Sequence, residues 1–192
     1  MSAAKDPGPR DRLLASARRL TAARGVGVGV DAILEDAGVA RRSLYQHFGG
    51  KDGLIAASLL DSCEKDVERY TAALDTADDP RARVLAVFDG LDTTTSSASF
   101  RGCRYVSAAH ALKNPDHPAH AATRTYTERL RALFEEELTN LGHPDPAGGS
   151  DQILVLIEGV LVLGVIFPAS HPACSVRPLV EHILDAGQAS TQ

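Results

Sequence analysis

Apolar residues recur every three or four positions along most of the chain, which is the spacing of amphipathic helices. The first such stretch opens after Pro9 and closes at Gly25. Its apolar face holds Leu13, Ala17 and Leu20. Alternation of the kind found in strands is limited to segment 26–30, which glycines interrupt. The pattern therefore predicts an all-α protein of about nine helices.

Turn and cap residues divide the rest of the chain into further helices. These are predicted over 31–37, 41–47, a long stretch from Lys51, a stretch after Asp79-Pro80, and over 118–141, 151–167 and 176–186, the last closed by Gly187. Segments rich in Thr, Ser, Gly and Pro at 93–99 and 145–150 are predicted to be loops. The helix at 151–167 is apolar nearly all round apart from Glu158, and it is short for a bilayer. We expect it to be buried and not to span a membrane.

The two short helices at 31–37 and 41–47 are joined by a tight turn at Gly38, which predicts a helix-turn-helix. Its second helix would pack Leu44 inward and turn a polar face outward. Arginine suits guanine edges, glutamine suits adenine, and hydroxyl or ring groups reach phosphates. Lys51 opens the next helix, where its ammonium and the helix N–H groups would face the same backbone. The candidate DNA-binding residues are Arg41, Arg42, Ser43, Tyr45, Gln46, His47 and Lys51.

These residues carry a resemblance to a known family. The block Leu13-Leu14-Ala15-Ser16-Ala17, followed by Gly25, Ile33, Ala37-Gly38-Val39, Leu44-Tyr45-Gln46-His47-Phe48, Lys51 and Leu54, resembles the N-terminal domain of TetR-family bacterial transcriptional regulators. The resemblance implies an N-terminal three-helix DNA-binding domain and a larger α-helical domain that binds an effector and forms a dimer. It also shows departures: Val28 and Gly29 stand where the family usually has a small hydroxyl residue, and Ala40 replaces the usual serine cap of the recognition helix.

Charge is distributed unevenly along the chain. The 192 residues carry a net charge of −5, yet residues 1–60 hold nine Lys/Arg against six acids, which leaves −8 for the remainder. This asymmetry favours a polyanion-binding segment followed by an acidic domain. The three cysteines form no CxxC pair, and no secretory signal is recognisable, so we expect a cytoplasmic protein.

Several other chemistries have partial motifs. Segment 27–32 formally matches GxGxxA, with Asp52 about twenty residues on, but an arginine-rich helix precedes it where a dinucleotide site needs a strand. His117 and His120 could ligate a metal, although packing in a loop and a solvated position are the simpler interpretations. The run 135–137 of three glutamates indicates a solvated helix face. No catalytic constellation is present in the sequence, so we expect neither an enzyme nor a cofactor or metal.

The second half of the chain supplies candidate effector and dimer residues. Aromatic and polar side chains in mostly apolar surroundings suit a small-molecule site between helices. The effector candidates are Phe88, Phe100, Cys103, Tyr105, His110, Tyr126 and Phe134. The two apolar C-terminal helices would form a two-fold interface, with candidates Ile157, Leu161, Val162, Leu179, Val180 and Ile183.

The sequence thus predicts a DNA-binding domain at 1–50 and a ligand-binding and dimerisation domain at 51–192. The function expected is that of a ligand-responsive regulator, more specifically a repressor, that binds a pseudo-palindromic operator as a dimer without a membrane partner. Two alternatives remain open, a DNA-binding or architectural protein without a ligand and a redox sensor acting through Cys103.

Overall fold

The computed structural model describes residues 6–168 and 170–186, and these contain nine α-helices and no strand. The helices are α1 (Pro9–Arg24), α2 (Val30–Ala37), α3 (Arg41–Phe48), α4 (Lys51–Leu74), α5 (Pro80–Thr95), α6 (Arg104–Ala111), α7 (Ala119–Leu141), α8 (Pro146–Ile166) and α9 (Pro172–Asp185). The all-α prediction is confirmed. The predicted stop at Gly187 lies outside the described residues.

The chain divides into two compact units. The first combines the described residues up to Glu64 with Arg104–Tyr126, and the second combines Lys65–Cys103 with the described residues from Thr127 onward. The boundaries fall within α4 and α7, and α6 groups with the N-terminal helices. This grouping differs from a cut at residue 50, and the functional assignment of 1–50 and 51–192 stays a prediction.

The first unit contains the predicted helix-turn-helix. Helix α1 contacts both α2 and α3 around a buried core that includes Leu13, Ile33 and Leu44, with Phe48 packed at its edge. Helix α2 ends at Gly38, whose φ of 59° and ψ of 41° lie in the left-handed region that glycine adopts without strain. The turn between the two short helices is therefore the reversal that the sequence predicts.

The second unit is built on contacts among α5, α8 and α9. Within it, Glu137 of α7 is buried and accepts two hydrogen bonds of 2.9 Å from the Arg83 guanidinium on α5. The expectation of a solvated glutamate face is therefore wrong for Glu137. A bidentate arginine supplies the compensation that a buried carboxylate needs.

Helix α8 begins at Pro146, so the predicted loop at 145–150 is wrong. The Asp145 carboxylate accepts a hydrogen bond of 3.0 Å from the Gly148 N–H and caps the helix. A Cβ atom on Gly149 would lie 2.7 Å from Leu138 Cδ1. Gly149, which indicates a loop in the sequence, instead allows Leu138 of α7 to pack closely against α8.

Two other boundaries differ from the predictions. Helix α5 continues to Thr95, whose buried hydroxyl donates to the Leu91 carbonyl at 3.0 Å, so only the later part of 93–99 is a loop. Helix α9 begins at Pro172, before the predicted start, because the Asp92 carboxylate of α5 accepts from the Ala173 N–H at 3.1 Å. This capping group comes from a distant part of the chain, which local sequence patterns do not reveal.

Helix α8 is buried on one face only. It is long and apolar enough to cross a membrane by length and composition, and 39% of its apolar window is buried within the chain. Ile153, Ile157 and Val160 are fully buried. The exposed apolar side chains on α8, the residue that follows it and α9 are Val155, Val162, Leu163, Val165, Ile166, Phe167 and Leu179.

Candidate nucleic-acid interface

The outer face of α3 carries the residues that the sequence predicts to read DNA. Leu44 is buried in the core, whereas Arg41, Arg42, Tyr45, Gln46 and His47 are exposed and Ser43 is half-buried. Tyr45 is 58% exposed, although it is a large aromatic residue. The predicted inward and outward sides of this helix thus agree with the burial seen in the fold, and the DNA contacts of its outward residues stay a prediction.

The ends of α3 depend on backbone geometry. Ala40 occupies the N-cap position with φ −66° and ψ 145°, and no side chain caps the helix there. The N-cap of α2, Gly29, also lacks a side-chain hydrogen bond. The first N–H groups of both short helices thus lack an N-cap side-chain acceptor, and such groups are well suited to donate hydrogen bonds to a phosphate oxygen.

The two adjacent arginines on α3 have different surroundings. Arg41 forms an ion pair with Asp31 in the first turn of α2, and both side chains are largely exposed. Arg42 is exposed and makes no ion pair within the described residues. A guanidinium without an internal partner can meet a base or a phosphate without first losing a contact, so Arg42 is the better-placed of the two.

The start of α4 is packed against the end of α3. A Cβ atom on Gly53 would lie 2.0 Å from the Phe48 carbonyl oxygen, so only glycine fits this approach. Lys51 is half-buried at the first position of α4. Beside the same end of α3, the Arg10 guanidinium lies 5.6 Å from the centre of the Phe48 ring, within cation–π range. Lys51 and Arg10 thus extend the cationic surface beyond α3 itself.

A buried hydroxyl and an ion pair fasten α1 to α2. The Ser16 hydroxyl lies 3.1 Å from the Ile33 carbonyl oxygen and also donates to the Asp36 carboxylate. Arg19 pairs with the same carboxylate. The hydrogen bond from Arg19, followed by that from Ser16, lowers the pKa of Asp36 below its ordinary value. Neither motif nor helical periodicity indicates this cluster, because its members come from two helices.

A core-packed helix-turn-helix that exposes a polar, cationic recognition helix defines a DNA-binding transcriptional regulator. Comparison with known proteins narrows this class. The profile of the family described as bacterial regulatory proteins, tetR family, matches residues 13–58. A TetR-type regulator from Streptomyces avermitilis is 34% identical, with 95% of this chain and 99% of that one covered and a TM-score of 0.86. The chain belongs to the TetR family of bacterial transcriptional regulators.

Other relatives agree over most of the chain. A TetR-family regulator from Streptomyces coelicolor is 29% identical, covers 95% of this chain and 92% of its own, and superposes with a TM-score of 0.83. The HTH-type transcriptional regulator LmrA of Bacillus subtilis is 23% identical over 91% of this chain and 96% of its own. The fold is also shared with a cysteine mutant of CifR in complex with operator DNA, at 23% identity, 97% and 99% coverage and a TM-score of 0.74.

The effector candidates occupy both units. In the first unit, the Tyr105 and Tyr126 rings stack with centroids 3.7 Å apart and 11° between their planes, while His110 is exposed. The other candidates, Phe88, Phe100, Cys103 and Phe134, belong to the second unit, where Phe88 and Phe134 are buried and Phe100 and Cys103 are half-buried. Tyr105 also donates to the Leu59 carbonyl at 3.4 Å, so the tyrosine pair contributes to packing in the first unit.

Cys103 has an acidic neighbour. Burial raises the pKa of the Glu158 carboxyl, and a hydrogen bond with Cys103 opposes that rise. One carboxyl oxygen of Glu158 is buried without a hydrogen-bond partner. The Cys103 thiol is therefore a hydrogen-bond partner of a largely buried carboxyl group on α8.

The histidines considered as metal ligands make hydrogen bonds within the first unit. His117 is buried, and its Nδ1 accepts from the Ala119 N–H at 3.1 Å. His120 Nε2 lies 3.1 Å from the Leu112 carbonyl oxygen. Among the described residues, no group of three His, Cys, Asp or Glu side chains is placed to hold a metal ion. The glycine segment 25–29 follows α1 as a turn, so the dinucleotide motif lacks the strand it requires.

The six dimer candidates separate into two groups. Ile157, Leu161, Val180 and Ile183 are buried and pack within their own chain. Val162 and Leu179 are 47% and 56% exposed. Only the second group offers apolar surface to another molecule, together with the exposed residues that surround it on α8 and α9.

Proposed function

We propose that this TetR-family protein is a ligand-responsive repressor that binds a pseudo-palindromic operator as a homodimer and is released by a small-molecule effector. The observation that carries the proposal is the exposed polar face of α3, held by a fully packed core while Arg42 and Tyr45 stay available. The fold is shared with CifR, whose structure contains a 26-bp double-strand operator DNA. This likeness supports the proposal that the protein docks on operator DNA in the same way.

A dimer explains why the outer face of α8 is apolar. Covering Val155, Val162 and Leu163 with the same surface of a second chain would remove them from water, and two-fold symmetry makes the patch self-complementary. The dimer would place two copies of α3 about 34–36 Å apart, one turn of DNA, in successive major grooves.

Release by an effector requires two conformations. An effector that binds better to a dimer with the wrong separation of recognition helices shifts the population away from DNA, and DNA must weaken effector binding by the same factor. We propose that the effector contacts candidates of the second unit, Phe88, Phe100, Cys103 and Phe134, while Tyr105, His110 and Tyr126 stay candidates within the first unit. We further propose that the protein is cytoplasmic and that it has neither a catalytic nor a membrane role.

Selection of duplexes from a random library with the purified protein tests the proposal. The expected product is an enriched inverted repeat whose half-sites are one helical turn apart, bound in the nanomolar range at physiological salt. Arg42→Ala should lose this enrichment, while Arg124→Ala, which removes an exposed charge from α7, should retain it. Binding without sequence preference would contradict operator recognition.

A further inference from the structure

An ion pair joins the first turns of the two short helices. Asp31 is the second residue of α2, and Arg41 is the first residue of α3. The Arg41 Nη2 atom donates a hydrogen bond to Oδ1 of Asp31. The carboxylate suits its place because the start of a helix attracts negative charge, whereas the start of α3 disfavours a guanidinium. Asp31 therefore supplies the attraction that holds Arg41, which its own helix does not.

Neither side chain of this pair fills the core. The exposed fraction is 83% for the Asp31 side chain and 50% for that of Arg41. An ion pair between side chains this exposed adds little to the free energy of unfolding. The contact therefore fixes the direction of a surface arginine more than it stabilises the fold.

Arg41 lies where a recognition helix reads bases. In helix-turn-helix proteins the N-terminal residues of the second helix contact base edges in the major groove. A carboxylate beside that point is repelled by the phosphates of any duplex, so Asp31 opposes binding to DNA in general. Its place next to Arg41 therefore suits discrimination between duplexes, and not affinity as such.

The shape of the guanidinium allows Arg41 to be held and to bind at the same time. The group is planar and rigid and carries several N–H donors. Asp31 engages Nη2, which leaves the Nη1 and Nε donors to meet other acceptors. Guanine presents O6 and N7 side by side and takes two parallel hydrogen bonds from an arginine. Arg41 can therefore bind a guanine edge without leaving Asp31.

We propose that Asp31 is a positioning residue that sets the base specificity of Arg41. The carboxylate holds the guanidinium toward a guanine at one base pair of each half-site, and its charge keeps the same guanidinium from settling on a phosphate. The inference rests on the proposed function and assigns a residue that determines operator specificity. Loss of the carboxylate should increase the affinity for DNA in general and lower the discrimination between sequences.

Duplex selection with Asp31→Asn tests the proposal, because a neutral amide of the same shape holds a guanidinium more weakly than a carboxylate does. We expect the inverted repeat to be retained and the preference for guanine to be lost at one base pair of each half-site. Arg41→Ala should lose the preference at the same base pair. Glu35→Gln, which removes an exposed acid from the last turn of α2, should select the wild-type sequence. A purely structural role of Asp31 would not change the preference at a single base pair.

Fluorescence anisotropy gives a second readout, with the duplex selected by the wild type and a random-sequence duplex at one salt concentration. Asp31→Asn should bind the random duplex more tightly, and the ratio of the two affinities should fall by about 5-fold or more. In an Arg41→Ala background, the same substitution should change both affinities by an equal factor and leave their ratio unchanged. The cycle separates the positioning of Arg41 from the general repulsion between a carboxylate and DNA.

The outcomes distinguish the positioning role from the proposed function. A base preference that survives both Asp31→Asn and Arg41→Ala, or an affinity ratio that Asp31→Asn leaves unchanged, would overturn the positioning role while operator binding stands. A wild-type protein that enriches no duplex would overturn operator binding itself. Asp31→Ser, which has a shorter uncharged side chain, must give the same result as Asp31→Asn, and thermal unfolding checks that each variant is folded.

Discussion

At the scale of single residues, some charged side chains of the first unit form ion pairs that hold helices together, and others face solvent. Arg19 is engaged by Asp36 and Arg41 by Asp31. Arg42, one position from Arg41, has no such ion pair among the described residues and points outward with Tyr45. Arg42 and Tyr45 are therefore separable from the residues that stabilise the fold, whereas Arg41 belongs to both groups.

Truncating either of these outward residues should affect binding and leave stability unchanged. Arg42→Ala and Tyr45→Ala should each weaken operator binding by roughly 1–3 kcal/mol, because each removes contacts to DNA without opening a cavity. Fluorescence anisotropy with a labelled duplex measures the binding and thermal unfolding measures the stability. A large fall in Tm, with normal binding by the folded fraction, would show that the helix presents another face.

Asp36 should give the stability a specific pH dependence. Its pKa is lowered in the folded state, so its contribution is present above the ordinary pKa of aspartate and is lost as the pH falls through the lowered value. Asp36→Asn should therefore be less stable than the wild type at neutral pH, with the difference shrinking in acid. Urea unfolding at a series of pH values measures this. Glu35→Gln, an exposed neighbour, is the control, and a difference that is constant with pH would contradict the account.

At the scale of elements, the sequence predicts most helices because apolar spacing and cap residues are local signals. Pro9, Gly38 and Asp79 mark helix ends that the structure reproduces. The failures have a common cause, which is that distant partners decide them. Gly149 lies where Leu138 of α7 packs against α8, and the burial of Glu137 is compensated by Arg83 of α5. The outward face of α3 follows from helical spacing, whereas the cluster of Ser16, Arg19 and Asp36 needs the fold because its members come from two helices.

The uncapped start of α3 offers a stabilising substitution. Ala40 already has the extended backbone of an N-cap residue, and Ala40→Ser would place an oxygen within reach of the unsatisfied N–H groups of α3. The free energy of unfolding should rise by about 1 kcal/mol. Chemical unfolding measures the change, with Ala40→Val as the control that adds volume without an acceptor. An unchanged or lower stability of Ala40→Ser would show that these N–H groups have other partners.

At the scale of the whole molecule, the exposed apolar face of α8 and α9 is the feature that a single chain leaves unexplained. Seven apolar side chains are exposed there within the described residues. Exposed apolar surface of this kind marks an interaction site in soluble proteins. The buried side of α8 thus packs in the core of its own chain, and the exposed side is the surface proposed to contact the second chain of the dimer.

A charge at the centre of this face should prevent the dimer. Val162→Glu would bury an unpaired carboxylate in each half of a two-fold interface, so we expect a monomeric or insoluble protein without cooperative operator binding. Leu161 is the wrong position for this test because it is buried in its own chain. Analytical ultracentrifugation measures the change, and Asn140→Asp on α7 is the control for added charge. A soluble Val162→Glu dimer would place the interface elsewhere.

Two chains are proposed to act together on one operator, and the molar mass of the protein–duplex complex tests this proposal. Multi-angle light scattering of the wild-type protein with its selected duplex should give two chains per duplex, and the protein alone should be a dimer at micromolar concentration. One chain on each duplex, with a monomer in solution, would contradict both the interface on α8 and α9 and the reading of two half-sites.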